Sequence, residues 1–238
     1  MIDETVEEIR EMQTHSSSVV AVRAARALGE LLDREFASVT EFERALERNS
    51  SVLRSANPSH ASLWSTQRRI VAAVDDRDAD TVEAVKSATS DAIEDVIQDV
   101  EGAKAVAAKN VARLLEDGDT VLTHDYSTTV LEAIELAVGG GVALDVYATE
   151  ARPRFQGRRT ARTLADIEGA SATLIVDSAA GHYLPECDRV LVGMDCIVED
   201  TLYNRVGTYP LAAAAADVDV PFVAAGSSTK LIEGGFRF

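Results

Sequence analysis

Apolar residues in the first half of the chain recur three or four apart, and in the second half they gather into short runs, so the pattern predicts helices followed by alternating strands and helices. Ile9 and Met12, then Val20, Ala24, Leu28, Leu31 and Leu32, outline an amphipathic segment with a break at the Thr14 to Ser18 cluster. Thr40 with Glu43 three residues on, and Phe42 and Leu46 between and beyond them, has the form of a capping box at a second helix start. Asn57 and Pro58 punctuate the chain before a segment carrying Leu63, Trp64 and Ile70. From Asp80 to Leu115 the spacing of Val82, Val85, Ile93, Val96, Val100 and Val106 predicts one long helix, whose length leaves room for a break near Gly102.

At Glu116, Asp117, Gly118 and Asp119 the period changes. Five apolar strands are expected near 120–124, 142–147, 172–176, 189–193 and 220–225, with helices at 127–137, 160–168 and 204–216 between them. Short apolar strands alternating with helices imply right-handed crossovers and a mainly parallel sheet covered on both faces. The expected fold is therefore α/β, with an N-terminal helical domain (1–115) followed by a Rossmann-like, mainly parallel sheet domain (116–238). The run Gly139, Gly140, Gly141 follows a helix and precedes a strand. A phosphate-cradling loop runs the other way, from strand to helix, so the run reads as a turn and a nicotinamide enzyme is disfavoured.

Composition narrows the function classes. Forty acidic residues against 23 basic ones give a formal charge of -17, which must mostly face solvent. Such a surface argues against direct nucleic-acid binding and favours a salt-rich cytoplasm over a dedicated cation site. Cys187 and Cys196 are too few for a disulfide framework and lack zinc-ligand spacing, so buried inert thiols are expected, with no metal. His15 and His60 read as surface or cap residues. The start MIDETVEEIREM has acidic residues where a secretory signal has a basic head, and no later apolar stretch is long enough to span a membrane; the chain reads as cytoplasmic.

The chemistry is expected where strands end, because parallel α/β sheets bind ligands at the carboxyl edge. Asp125, Glu150, Asp177, Asp195 and Ser227 all fall at or just beyond such ends. After the first strand, His124, Asp125 and Ser127 lead into a helix whose free N–H groups could meet a phosphate; a plain N-cap explains Ser127 equally well. Arg152, Arg154, Arg158 and Arg159 surround Gln156 in a basic cluster that could grip phosphate or pair with surface carboxylates, Arg158 and Arg159 falling in the next helix. Asp125 and Asp195 could form an acid–base pair, with Asn204 fixing a substrate and Arg205 offsetting phosphate charge. Asp177 could serve the same chemistry or cap the turn holding Ser178, Gly181 and His182.

The motifs VLTHDYSTTVLEAI, YATEARPRFQG, TLIVDSAAGHYL, VLVGMDCIVEDTLYNRVGT and PFVAAGSS occur in order and resemble one family. It joins the alpha, beta and delta subunits of translation initiation factor 2B with archaeal ribose 1,5-bisphosphate isomerase and methylthioribose-1-phosphate isomerase; the helical half is similar too, and the overall look is haloarchaeal. The resemblance implies a dimer formed largely by the Rossmann-like domains, with a higher assembly or an initiation-factor partner as a further expectation. It also implies a phosphorylated sugar or nucleotide as ligand, with no cofactor. Carried onto this sequence, the ligand-binding positions are Arg23, His124, Ser127, Glu150, Arg152, Gln156, Asn204 and Arg205, and the catalytic positions, if there is turnover, are Asp195 and Asp125.

Three departures from the isomerases bear on activity. Where their first strand ends Thr-His-Cys this chain has Asp125, so the thiol that works with the Asp at position 195 is missing, and a carboxylate lacks sulfur's polarizability and has a lower reference pKa. Their N-terminal Arg-Gly-Ala phosphate motif is replaced by THSSSVVAVRAARAL, where Arg23 is the compensating cation. Asn-Lys-x-Gly-Thr becomes Asn204, Arg205, Val206, Gly207 and Thr208. Other members carry C-terminal structure beyond the equivalent of Phe238, so the sheet domain is either naturally short or incomplete. The leading expectation is a ligand-sensing, regulatory protein without isomerase turnover; the alternative is an aldose–ketose isomerase acting on ribose 1,5-bisphosphate.

Overall fold

In a computed structural model, residues 2–11, 17–58, 60–75 and 80–232 are described. Met12, Thr14 and His15, with most of the expected break around them, lie outside these residues. The chain forms two compact units: 1–103 with 196–200 and 228–238, and 104–195 with 201–227.

The first unit is built from α1 (Ile2–Glu11), α2 (Ser17–Leu28), α3 (Val39–Ala56), α4 (Ala61–Asp75) and the first part of α5 (Val82–Ala112). Helical spacing places Ile9, Leu28, Leu31, Phe42, Leu46, Leu53, Leu63 and Ile70 in one buried cluster. Two local expectations are corrected. Helix α3 is capped by Ser38, whose hydroxyl accepts from the Glu41 N–H, while the Glu41 carboxylate returns to the Ala37 N–H; the box sits two residues earlier than Thr40 and Glu43, where its acid reaches a free amide. Helix α5 runs unbroken through Gly102, because an exposed glycine weakens a helix without ending it.

The second unit carries β1 (Thr120–His124), α6 (Thr128–Gly139), β2 (Leu144–Thr149), α7 (Gly157–Ala165), β3 (Ala170–Ile175), α8 (Ala180–Tyr183) and β4 (Arg189–Gly193). The chain then passes through β5 (Cys196–Val198), which belongs to the first unit, and returns with β6 (Thr201–Tyr203), α9 (Thr208–Asp217) and β7 (Phe222–Ala225). Strand β8 (Leu231–Ile232) pairs parallel with β5 inside the first unit. The expected boundary at 115/116 follows the change of period; by packing, the first unit ends within α5 and takes up these two short strands as well.

The five-stranded sheet has the order β3-β2-β1-β4-β7 and is parallel throughout. Alternation along the strands sends Val121, Val146 and Leu191 into one buried layer with α6, α7 and the end of α5, and Leu122, Val190 and Val192 into the other with α8 and α9. Strand order reverses between β1 and β4, so the crevice at their carboxyl ends is the topological switch point where this architecture takes ligands.

Tight backbone approach fixes that edge. A Cβ on Gly157 would lie 1.6 Å from the carbonyl oxygen of Thr149, so α7 can start beside the end of β2 only if residue 157 has no side chain. Gly157→Ala should destabilise the protein by about 3 kcal/mol in denaturant unfolding. Gly102→Ala, on the open face of α5, should stabilise it by about 0.8 kcal/mol; equal effects from the two would refute this packing account.

Candidate functional site

Loops after β1, β2 and β4 and the segment before α9 meet at the switch point. Asp125 directly follows β1 with φ 66, a left-handed conformation uncommon for a residue with a side chain, and its carbonyl accepts from the Thr160 hydroxyl at 2.6 Å. Ser127 caps α6, its hydroxyl accepting from the Val130 N–H at 3.3 Å. Gly193, at the end of β4, approaches so near that a Cβ there would meet the Ser127 side chain at 2.7 Å. These contacts bring Asp125, after β1, and Asp195, just past β4, to one arginine. The Nε of Arg205 lies 3.0 Å from a carboxylate oxygen of Asp195 and 3.6 Å from one of Asp125.

His124 holds the Arg205 loop in place. Its Nε2 lies 2.8 Å from the Val206 carbonyl, which can only accept, so Nε2 carries a proton. Its Nδ1 meets the Thr149 hydroxyl at 2.6 Å, the residue opposite it in the β1–β2 register. Gly207, with φ 105, lies against this ring, and a Cβ there would come within 2.5 Å of it. Asn204 donates from Nδ2 to the Gly193 carbonyl at 2.7 Å, so it closes the same loop onto β4.

On the β2 side, Glu150 is bound through one carboxylate oxygen by Nε and Nη2 of Arg158, at 3.1 and 2.6 Å. The Arg158 and Arg152 guanidiniums lie over the Phe155 ring at 4.3 and 5.2 Å, and that of Arg159 over Tyr126 at 4.1 Å. Gln156 precedes α7, its carbonyl accepting from Arg159 and Thr160. Asp177, after β3, accepts from the N–H groups of Ala151 and Arg152 at 2.7 and 2.8 Å, two bonds that no residue pattern foretells. Of the ligand-binding positions expected from sequence, all but Arg23 belong to this unit. Arg23 lies on α2 in the first unit, paired with Glu8 at 3.1 Å. Cys187 and Cys196 are buried, reduced thiols, and burial pushes Cys187 up to about 11, helped by Asp188 and Glu186.

Burial raises the Asp125 carboxyl above its ordinary value of 3.8; the Arg205 guanidinium, the Tyr126 N–H and His124 oppose the rise, and Asp195 adds to it. The site therefore sets a carboxyl of raised pKa and a second carboxyl against one cation, in the same unit as the basic loop after β2.

Residues 13–234 match the initiation factor 2 subunit family. The chain belongs to that family. Within it, the chain is similar to a ribose 1,5-bisphosphate isomerase of Haloferax volcanii, 34% identical over 232 residues that cover 97% of this chain and 71% of the isomerase. A ribose 1,5-bisphosphate isomerase of Methanocaldococcus jannaschii is 33% identical over 97% of this chain and 73% of its own length. Among solved structures, the translation initiation factor eIF-2B of Pyrococcus horikoshii OT3 superposes with a TM-score of 0.85 at 28% identity, covering 97% of this chain and 80% of that one. The Rossmann-like fold expected from sequence is thus that of the family.

A raised carboxyl pKa means that the folded state holds the proton more tightly than the unfolded chain. The associated stability is complete below the ordinary value of 3.8 and is lost as pH rises through the folded value. Asp125→Asn should therefore raise the thermal midpoint at neutral pH, with the gain shrinking as pH falls through that window. Arg205→Gln should drive the Asp125 titration higher still by removing the opposing cation, measurable by carboxyl 13C NMR; a gain independent of pH, or a downward shift in Arg205→Gln, would contradict the assignment.

Proposed function

We propose that this protein is a regulatory, ligand-sensing member of its family that binds a phosphorylated sugar or nucleotide at the carboxyl edge of the sheet and does not isomerise it. The observation carrying this reading is the shared contact of Arg205 with Asp125 and Asp195. Aldose–ketose isomerisation moves a proton between adjacent carbons, and it needs one group free to take that proton and another to serve the carbonyl oxygen. Here both carboxyls lean on one cation, and the position where the isomerases have a thiol holds a carboxyl whose pKa is raised by burial. Binding is better supported than turnover. Among the described residues no carboxylate pairs with the Arg152 guanidinium, which is held over Phe155 and is suited to receive a phosphate.

The resemblance further supports a homodimer that could join a larger assembly or an initiation-factor partner. No cofactor is needed for binding of this kind. The acidic surface fits a salt-rich cytoplasm, and among the described residues no helix is long and apolar enough to cross a membrane.

A second reading, isomerisation of ribose 1,5-bisphosphate, is favoured by the names of the archaeal relatives and by two acids flanking the switch point. Calorimetry with ribose 1,5-bisphosphate, followed by 31P NMR of the same mixture, separates the two. Regulation predicts binding with no ribulose 1,5-bisphosphate formed, and Arg152→Gln weaker by about 2 kcal/mol. Turnover that disappears in Asp195→Asn would establish the isomerase instead.

A further inference from the structure

We propose that Asp177 is a positioning residue for ligand binding, holding the basic loop after β2 in its working shape without touching the ligand; this rests on the reading of that loop as a phosphate contact. The carboxylate does not cap its own turn. Both of its oxygens are used across the sheet edge, one on the Ala151 N–H at 2.7 Å and the other on the Arg152 N–H at 2.8 Å. Two successive amides facing one carboxylate form a small anion-binding nest, and here the protein fills the nest itself.

The loop has reason to need this anchor. Ala151 and Phe155 both adopt left-handed backbone conformations, φ 59 and 55, which residues with a Cβ take up only when surrounding contacts hold them there. Inside the loop the main-chain bonds are those from Phe155 N–H to the Ala151 carbonyl and from Gly157 N–H to the Glu150 carbonyl. Neither involves the amides of Ala151 and Arg152, which depend on Asp177. The same carboxylate lies 3.9 Å from Nδ1 of His124, the residue that holds the Arg205 loop. That separation is too long for a hydrogen bond, and Nδ1 is already bonded to Thr149, so the acid at the end of β3 acts on the site through the Arg152 loop alone. Charge-assisted bonds to backbone amides are the stronger kind, and a misplaced guanidinium loses its paired geometry on phosphate.

The test is calorimetry with ribose 1,5-bisphosphate on the full chain, with circular dichroism confirming that each variant is folded. Asp177→Ala should bind on the order of tenfold or more weakly. Formate, added at fixed ionic strength, should restore part of that affinity by entering the vacated nest, while the wild type gains nothing. Asp177→Asn, which turns an N–H donor towards one of the two amides, should be weak and unresponsive to formate. Amide resonances of Ala151 and Arg152 should shift in Asp177→Ala and return with formate, a readout independent of the sugar. Unchanged affinity in Asp177→Ala, or a loss that formate does not touch, would overturn the positioning role while leaving the ligand-binding reading intact. Failure of the folded wild type to bind the sugar would overturn both.

Discussion

The imidazole of His124 is bonded at both nitrogens, and those two bonds determine where the loops at the carboxyl edge of the sheet can lie. Nδ1 ties the end of β1 to Thr149 on β2, and the protonated Nε2 reaches the Val206 carbonyl in the segment before α9. Burial of the ring makes each bond matter more, since a buried polar group left unpaired costs more than a satisfied one returns. Glycine at 207 is the complement of this arrangement, because the loop runs so close to the ring that a methyl group would collide with it. Arg205, two residues earlier, is thereby delivered to the two acids.

Topology explains why those acids are neighbours. Asp125 and Asp195 are 70 positions apart, yet they follow β1 and β4, which pair in the sheet on the two sides of the order reversal. A parallel sheet points all its strand ends the same way, so polar residues after successive strands collect at one edge whatever their separation in sequence. Packing the Gly193 backbone against Ser127 then removes the space that would otherwise separate them. The electrostatic result is a carboxyl pushed towards its neutral form beside a cation that opposes the push.

Much of this was legible in the residue pattern. The strands are marked by short apolar runs and the helices by spacing, because burial on two faces or on one stripe leaves a periodic trace. Side-chain partnerships leave none. Nothing in THDYS distinguishes a histidine that contacts a ligand from one that joins two loops, and nothing in LIVDSAA shows that Asp177 serves amides 25 and 26 positions away. Glycines 157, 193 and 207 are equally silent in sequence, since their requirement arises only when another segment's atoms arrive. The affiliation of residues 196–200 and of β8 with the helical unit was hidden for a similar reason: strands as short as Leu231–Ile232 carry too little pattern to announce a partner.

The central claim is that the ends of separate strands form one anion-receiving site. Hydrogen–deuterium exchange with and without ribose 1,5-bisphosphate tests it most directly, because it reports on every loop at once. The account predicts that slowed exchange appears together at 124–128, 150–158 and 203–208 and saturates at a single ligand concentration. Protection confined to one of these segments, or lying wholly outside them, would contradict it.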